Sequence, residues 1–368
     1  MKILIIILTL LFTINIVRAQ DAKPPVRVAI MGLVHDHAYG FIPLTRDRPD
    51  VQLVGIVEPD HDLAMLYAKR FDLNTNRFYT SLEALLAKTK VDAVAAFTTT
   101  LDHRRVVEMC APLHIDVMME KPMAVNMQEA RGIEAAARKG GIQIVVNYET
   151  TWYKSTRAAY KLAAEDHEVG PLRKIVVHDG HRGPREIGCS ETFLKWLTDP
   201  ELNGGGALPD FGCYGADLIT WLMGGQRPTS VFAVTQQIKP DVYPKVEDEA
   251  TVVVTYPKTQ GIIQGSWNWP IDRKDMEIYG TTGYILAPRK DLLRVRKFGK
   301  EETEPALATP SGPLQDQLAY LAAVVRGEIQ PSGLSSLEVN LVVTEILDAA
   351  RESARTGRRI DLPATMAK

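Results

Sequence analysis

Val26-Arg27-Val28-Ala29-Ile30-Met31-Gly32-Leu33-Val34-His35-Asp36-His37-Ala38 is the stretch that decides the fold. Its first six residues form a short run of mostly apolar and β-branched side chains, the pattern of a strand buried on both faces of a parallel sheet. A glycine follows, then a short polar turn, then the start of a helical segment. Four more apolar runs, at 51–57, 91–97, 115–119 and 142–146, alternate with segments of helical spacing at 61–71, 81–88, 103–111 and 126–139. Several helix ends are readable. Ser81 precedes Glu83 and Ala84 as an N-cap, Asn126 with Glu129 has the spacing of a capping box, and Gly140-Gly141 is a stop. Strands and helices in strict alternation predict a doubly wound parallel sheet over residues 25–148.

Downstream the pattern changes. Runs at 172–177, 231–237, 250–256, 261–267 and 276–279 read as strands with few helices between them, which predicts a large, mainly antiparallel open sheet. Helices are expected at 192–197 and 215–223, and the tail over 313–355 reads as mostly helical. The second domain therefore spans 149–368, with the boundary near Tyr148 to Trp152.

Upstream, Met1-Lys2 and the apolar run 3–17 end in Val17-Arg18-Ala19, with small residues where a signal peptidase would cut. Residues 1–19 are expected to be a secretory signal peptide, giving a periplasmic or secreted protein with no stable membrane insertion after cleavage. The net charge of −2 and the lack of a basic run exclude a nucleic-acid partner. The three cysteines, Cys110, Cys189 and Cys213, fit neither a disulfide framework nor a zinc site. A Cys189–Cys213 bond stays open in an oxidising compartment. His178 and His181, three apart on an expected strand, would point to opposite faces, so no metal site is expected.

Ligands of a doubly wound sheet sit beyond the carboxyl ends of its strands. At the first end, Gly32 keeps the first position of a G-x-G-x-x-G fingerprint, while Val34 and His37 replace the second and third. Backbone N–H groups at the start of the following helix still suit a pyrophosphate, and His35, Asp36 and His37 lie in the same turn. Glu58 closes the second run, where an acidic side chain binds ribose hydroxyls and repels a 2′-phosphate. It favours NAD without excluding NADP. Thr98 and Thr99, with His103 at the next helix start, line the third end. Glu120-Lys121-Pro122 closes the fourth, where a carboxylate and an ammonium are costly to bury unless paired or bound. Asn147 closes the fifth.

Glu120-Lys121-Pro122, together with Gly204-Gly205-Gly206-Ala207-Leu208-Pro209-Asp210-Phe211-Gly212-Cys213-Tyr214-Gly215-Ala216-Asp217-Leu218, resembles the Gfo/Idh/MocA oxidoreductases. Within that family the chain is most similar to the glucose–fructose oxidoreductase branch, which carries Tyr where many members carry His. The resemblance covers nearly the whole chain after residue 19. It implies a bound nicotinamide cofactor and places Lys121 beside it, with Asp210 holding the lysine or the substrate and Tyr214 as general acid/base. On this reading Lys121 lowers the Tyr214 pKa from its ordinary value of about 10. Tyr148, His181, Arg182 and Asp217 are further substrate-side candidates, and Asn147 is a candidate contact of the nicotinamide.

The activity so implied is hydride transfer between a secondary hydroxyl of a sugar or glycoside, ring carbon 3 being one candidate, and a tightly held cofactor. Two alternatives stay open: redox-assisted glycoside cleavage with cofactor recycling, and sugar binding without catalysis. A homodimer or homotetramer through the second sheet is expected by analogy of fold.

Overall fold

In the computed structural model, which describes residues 23–363, the opening run is β1 (Val26–Met31). Along it Val26, Val28 and Ile30 enter one hydrophobic cluster, whereas Ala29 and Met31 enter the other. Period-two alternation therefore exists, but both faces are apolar, so the strand reads as a continuous run. There follow α1 (Ala38–Leu44), β2 (Val51–Val57), α2 (His61–Arg70), β3 (Phe78–Tyr79), α3 (Leu82–Leu86), β4 (Ala93–Ala96), α4 (His103–Cys110), β5 (Asp116–Glu120), α5 (Met127–Gly140) and β6 (Ile144–Asn147). The strand order is β3-β2-β1-β4-β5-β6, all parallel. The order reverses between β1 and β4, which opens a ligand crevice there. The expected caps are present. Ser81 accepts from the Ala84 amide, Asn126 from the Glu129 amide, and Gly141 ends α5 in the left-handed region.

The second part comprises α6 (Lys154–Tyr160), β7 (Leu172–Gly180), α7 (Glu191–Leu197), α8 (Pro200–Asn203), α9 (Ala207–Leu222), β8 (Ser230–Gln236), β9 (Glu249–Thr255), β10 (Gln260–Ser266), β11 (Arg273–Gly280), β12 (Gly283–Arg289), β13 (Leu292–Lys297), α10 (Gln317–Val325), α11 (Leu337–Thr356) and β14 (Ile360–Asp361). Its eight-stranded sheet has the order β13-β12-β11-β7-β10-β9-β8-β14. The sheet is antiparallel except where β7 and β10 run parallel at its centre. β12 and β13 went unpredicted because Arg289, Lys290, Asp291, Arg294 and Arg296 mask their alternation.

Two departures from the expected organisation bear on the site. The helix expected over 215–223 begins at Ala207, so Asp210, Tyr214 and Asp217 share α9. Pro209 sits in its first turn, where no intrahelical amide is required, and is no breaker there. A Cβ added to Gly265 on β10 would lie 2.7 Å from the Gly212 amide nitrogen, so glycine is what lets α9 lie close on the sheet. The tail is not confined to the second part either. Leu318, Leu321 and Val324 of α10 join the cluster that holds Val26, Val28 and Ile30. The first sheet thus borrows cover from beyond residue 149, and the division 25–148 and 149–368 does not give two separate cores. The expected signal segment, residues 1–19, lies outside the described residues. Among the described residues no helix is long and apolar enough to cross a membrane.

Candidate active site at the junction of the two sheets

Lys121 directly follows β5, and Asp210 lies in the first turn of α9. Lys121 Nζ is 2.6 Å from Asp210 Oδ1 and 3.1 Å from the Asp210 carbonyl oxygen. The other carboxylate oxygen, Oδ2, accepts from the indole of Trp267 at 2.9 Å. Both charged side chains are 6 % exposed. Burial opposes each charge, but the opposite charge and the hydrogen bond outweigh it. The Lys121 pKa is raised and the Asp210 pKa lowered, so the pair is ionic.

Tyr214 follows Asp210 by one helical turn, on the same face of α9. Lys121 Nζ stands 5.1 Å from the centre of its ring, and Lys274 Nζ, from β11, stands 4.9 Å from it. Lys274 forms an ion pair with Glu149. Burial opposes the Glu149 charge, yet Lys274 brings its pKa down to about 2. The expectation that Lys121 lowers the Tyr214 pKa is not met. Burial pushes it well above its ordinary value, and Glu149 adds to the shift. Each ammonium near the ring comes with its own carboxylate, Asp210 for Lys121 and Glu149 for Lys274, so little positive field is left for a phenolate. The resting side chain is a neutral phenol.

On the nucleotide side Gly32 has φ +79°, and an added Cβ would meet Thr98 Cγ2 at 2.8 Å. The tight turn expected of the first fingerprint glycine is therefore present. Glu58 is buried at the end of β2. Its Oε2 accepts the Leu33 amide at 2.8 Å and its Oε1 the Asp60 amide at 2.9 Å, and burial raises its pKa. A carboxylate has about four acceptor positions, so two are left for a ribose diol. Glu120 accepts from Asn147 Nδ2 at 2.9 Å and pairs with His37 Nδ1 at 2.9 Å. Burial opposes its charge, but His37, Asn147 and Lys121 together lower its pKa. Gly32, Glu58, Thr98, Glu120 and Lys121 thus all stand at or just beyond the carboxyl ends of the parallel strands around the switch point, where a doubly wound sheet takes a dinucleotide.

Other expected cofactor residues are engaged elsewhere. Asp36 accepts from the Ser190 amide at 2.8 Å and the Ser190 hydroxyl at 2.6 Å, and so ties the β1 loop to the N-cap of α7. The Val34 carbonyl accepts from Trp196 Nε1 at 3.0 Å. His35 is buried against Phe193 and Trp196, and burial pushes its pKa well down, leaving a neutral ring. Thr99 Oγ1 donates to Asp102, and His103 is a buried neutral ring bonded to the Met123 carbonyl. Asn147, whose Oδ1 accepts from Trp152, braces Glu120 in place of the expected nicotinamide contact. His35, His37 and Glu120 each offer one ligand-type atom within 4.8 Å of the others. Within this trio His37 Nδ1 pairs with Glu120, and His35 Nδ1 accepts the His37 backbone amide.

Among the expected substrate residues, Lys121, Asp210, Tyr214 and His181 come together, and three others do not. Tyr148 packs edge-on behind Tyr214, and its hydroxyl is spent on Asn340. Asp217 is 0 % exposed, a turn deeper in α9, and has no hydrogen-bond partner among the described residues. Arg182 is exposed and takes no part in the cleft; its carbonyl, not its guanidinium, is used, by Lys239. His181 lies just beyond β7, so its spacing from His178 says nothing about faces. Cys189 and Cys213 are both free thiols. Asp179 and Lys274 were missed, because no motif marks them and only the strand register brings them to α9.

Comparison with known proteins identifies both parts of the chain. Residues 26–148 match the family model described as oxidoreductase family, NAD-binding Rossmann fold, and residues 157–286 match that of the GFO/IDH/MocA C-terminal domain. The chain is 27 % identical over 325 residues to a trans-1,2-dihydrobenzene-1,2-diol dehydrogenase of Bos taurus, covering 86 % of this chain and 91 % of the relative. Among solved structures it is similar to an aldose-aldose oxidoreductase from Caulobacter crescentus complexed with glycerol. That match has a TM-score of 0.79 and 22 % identity, over 92 % of this chain and 100 % of the other. An inositol dehydrogenase homolog complexed with NAD+ from Azotobacter vinelandii matches with a TM-score of 0.79 and 17 % identity, over 93 % and 98 %.

Proposed function

The chain belongs to the GFO/IDH/MocA family of NAD-binding oxidoreductases, and on that footing we propose that it transfers a hydride between a secondary hydroxyl of a sugar, glycoside or related polyol and a tightly held nicotinamide dinucleotide. The observation that carries this reading is the Lys121–Asp210 ion pair set 5.1 Å from the Tyr214 ring, at the mouth of the nucleotide crevice.

Gly32, Glu58, Thr98 and Glu120 would hold the cofactor, whose nicotinamide ring supplies or accepts the hydride when bound. Lys121, kept charged by Asp210, donates a hydrogen bond to the substrate oxygen and stabilises negative charge that develops on it. The neutral Tyr214 phenol donates its proton to that oxygen as a carbonyl is reduced. In the oxidation direction Tyr214 must first lose its own proton before it can take one from the hydroxyl. The Lys274–Glu149 pair lies over Tyr214 and has to part from it to admit a substrate.

Two further parts of this proposal are export, carried by the apolar run over residues 3–17, and self-association through the outer face of the second sheet, where Phe232 and Val234 are 39 % and 54 % exposed. A retained, non-exchanging cofactor fits an exported protein, and mass spectrometry of gently purified protein for co-purified NAD(H) checks it. The catalytic assignment is tested with Lys121→Met and Tyr214→Phe. Each is expected to lower the rate of cofactor reduction by about 100-fold or more while NAD is still bound. Full rates in both variants would overturn it.

A further inference from the structure

We propose that Asp179 is a substrate-binding residue of this site: its carboxyl group docks a hydroxyl adjacent to the one that reacts, so that the enzyme selects substrates with neighbouring hydroxyls. The inference rests on the hydride-transfer reading above and names the substrate feature that the same site recognises.

The strand register places Asp179. On β7, Ile175, Val177 and Asp179 form one row, and their partners on β10 are Gly261, Ile263 and Gly265. This is the face against which α9 lies, as the close approach of Gly265 to Gly212 shows. Ile175 and Val177 are both 0 % exposed. An apolar core row thus ends in an aspartate that is itself 1 % exposed. Neither of its carboxyl oxygens has a hydrogen-bond partner among the described residues.

A buried polar group without a partner destabilises the fold, and a valine would fill the row without that penalty. The natural partner is at hand but used elsewhere. Lys274 is directly opposite Asp179 in the antiparallel pair β11·β7, which puts both side chains on the same face. Its ammonium is nevertheless paired with Glu149 and lies 4.9 Å from the Tyr214 ring. Asp179 is therefore left open beside the catalytic groups. Burial holds its carboxyl pKa well above the ordinary range, which agrees with a group that has no charged partner of its own.

The surroundings favour a polyhydroxylated ligand. A cleft of about 460 Å3 opens at the next residue, Gly180, and is lined by Glu149, Tyr153, His181 and Lys274 among others. That volume lies in the range of small-molecule pockets. Asp179 itself lies just behind this lining, opposite Lys274 of the cleft in the β11·β7 pair. His181 Nδ1 accepts the Gly183 amide at 3.0 Å, and burial lowers its pKa, so the proton of the neutral ring is assigned to Nε2. The Asp179 carboxyl, a donor as well as an acceptor while it keeps its proton, and the His181 Nε2–H thus stand together at the end of β7, the complement of adjacent sugar hydroxyls.

The test uses the full protein with bound NAD, and methyl β-D-glucoside beside its 2-deoxy, 3-deoxy and 4-deoxy analogues as probes. Turnover is followed by nicotinamide fluorescence and binding by calorimetry. In the wild type, removal of one hydroxyl next to the oxidised carbon is expected to lower kcat/KM at least 100-fold. In Asp179→Val that ratio is expected to fall to near one, while Asp179→Asn keeps part of it. Asp179→Val is also expected to melt at a higher temperature than the wild type, because it removes an unpartnered polar group. An unchanged ratio in Asp179→Val, or a lower melting temperature with the ratio retained, overturns the assignment of Asp179 alone. If the wild type neither binds nor oxidises any of these glycosides, the hydride-transfer reading falls and this proposal with it.

Discussion

Lys121 Nζ lies 2.6 Å from Asp210 Oδ1, so one buried ion pair joins the mouth of the parallel sheet to the helix that crosses the antiparallel one. The two residues are far apart in sequence, one just past β5 and the other in the first turn of α9, yet both charges are nearly shielded from water. Removing one partner strands the other. Asp210→Ala is expected to destabilise the protein by about 3–5 kcal/mol, and Asp210→Asn by less, since the amide oxygen still accepts from Lys121. Urea unfolding measures the cost. A loss under about 1 kcal/mol for Asp210→Ala would mean the pair is wet and not the buried bridge described above.

The neutral Tyr214 phenol sets a pH dependence for catalysis. Its folded pKa is raised, so the phenolate needed for oxidation is scarce at neutral pH, whereas the phenol needed for reduction is abundant. The oxidation rate is expected to climb with pH, by up to tenfold per unit, and to show no plateau below about pH 10, the ordinary tyrosine value. Reduction is expected to stay flat over the same range. Steady-state kcat/KM in both directions checks this, and a plateau of oxidation near neutrality would show that another group takes the proton.

Asp217 carries a cost that should be visible in stability. It is 0 % exposed, neither oxygen has a hydrogen-bond partner among the described residues, and burial alone raises its pKa well above the ordinary value. For a carboxyl raised in the folded state, the native protein holds a proton that the unfolded chain releases above about pH 4. Its contribution is fully present below that pH and is lost as pH rises toward the folded pKa, at about 1.4 kcal/mol per pH unit. Asp217→Asn removes this slope. The variant is expected to gain on the wild type steadily between about pH 4 and the folded pKa, by thermal melting across a pH series. A constant difference would mean that Asp217 is ionised and partnered.

The parallel sheet was legible because its strands are continuous apolar runs, and the site residues at their ends followed from the rule that ligands bind there. Gly32, Glu58 and Lys121 stand where that rule put them. What stayed hidden depends on partners distant in sequence. Asp36 read as a nucleotide residue, but Ser190 takes both its oxygens. Asn147 read as a nicotinamide contact, but Glu120 and Trp152 occupy it. The helix expected from 215 began earlier, at Ala207, because Pro209 is tolerated in a first turn and Gly215 gives room for Ile263 of β10. Asp179 and Lys274 are silent in sequence, since a charged residue inside a strand pattern carries no sign of which face it meets.

The clamp on the β1 loop predicts where cofactor retention comes from. Val34 replaces a fingerprint glycine, but its carbonyl is fixed by Trp196 and its neighbour Asp36 by Ser190, both on or next to α7. Each such bond is worth about 1 kcal/mol, or roughly fivefold in an equilibrium constant. Trp196→Phe and Ser190→Ala are each expected to weaken NAD binding about fivefold, chiefly through faster release, with kcat little changed at saturating cofactor. Nicotinamide fluorescence in a dilution experiment measures the release. Equal release rates in the variants and the wild type would show that α7 does not hold the loop.

Glu58 serves both the loop and the choice of cofactor, and the two roles can be separated. Its carboxylate accepts the Leu33 and Asp60 amides, so it shapes the turn, and its negative charge opposes a ribose 2′-phosphate. Glu58→Gln keeps one oxygen acceptor and removes the charge. It is expected to cost about 1–3 kcal/mol in stability, from the amide left facing a backbone donor. It should also narrow the preference for NAD over NADP by about tenfold or more, because repulsion is lost without any new contact being made. Glu58→Gln paired with a nearby Asp60→Arg would supply a cation for the phosphate, and should carry the preference across to NADP. Calorimetric titration of both nucleotides into each variant decides the matter: if the ratio of affinities is the same in Glu58→Gln as in the wild type, Glu58 shapes the loop only and does not read the ribose.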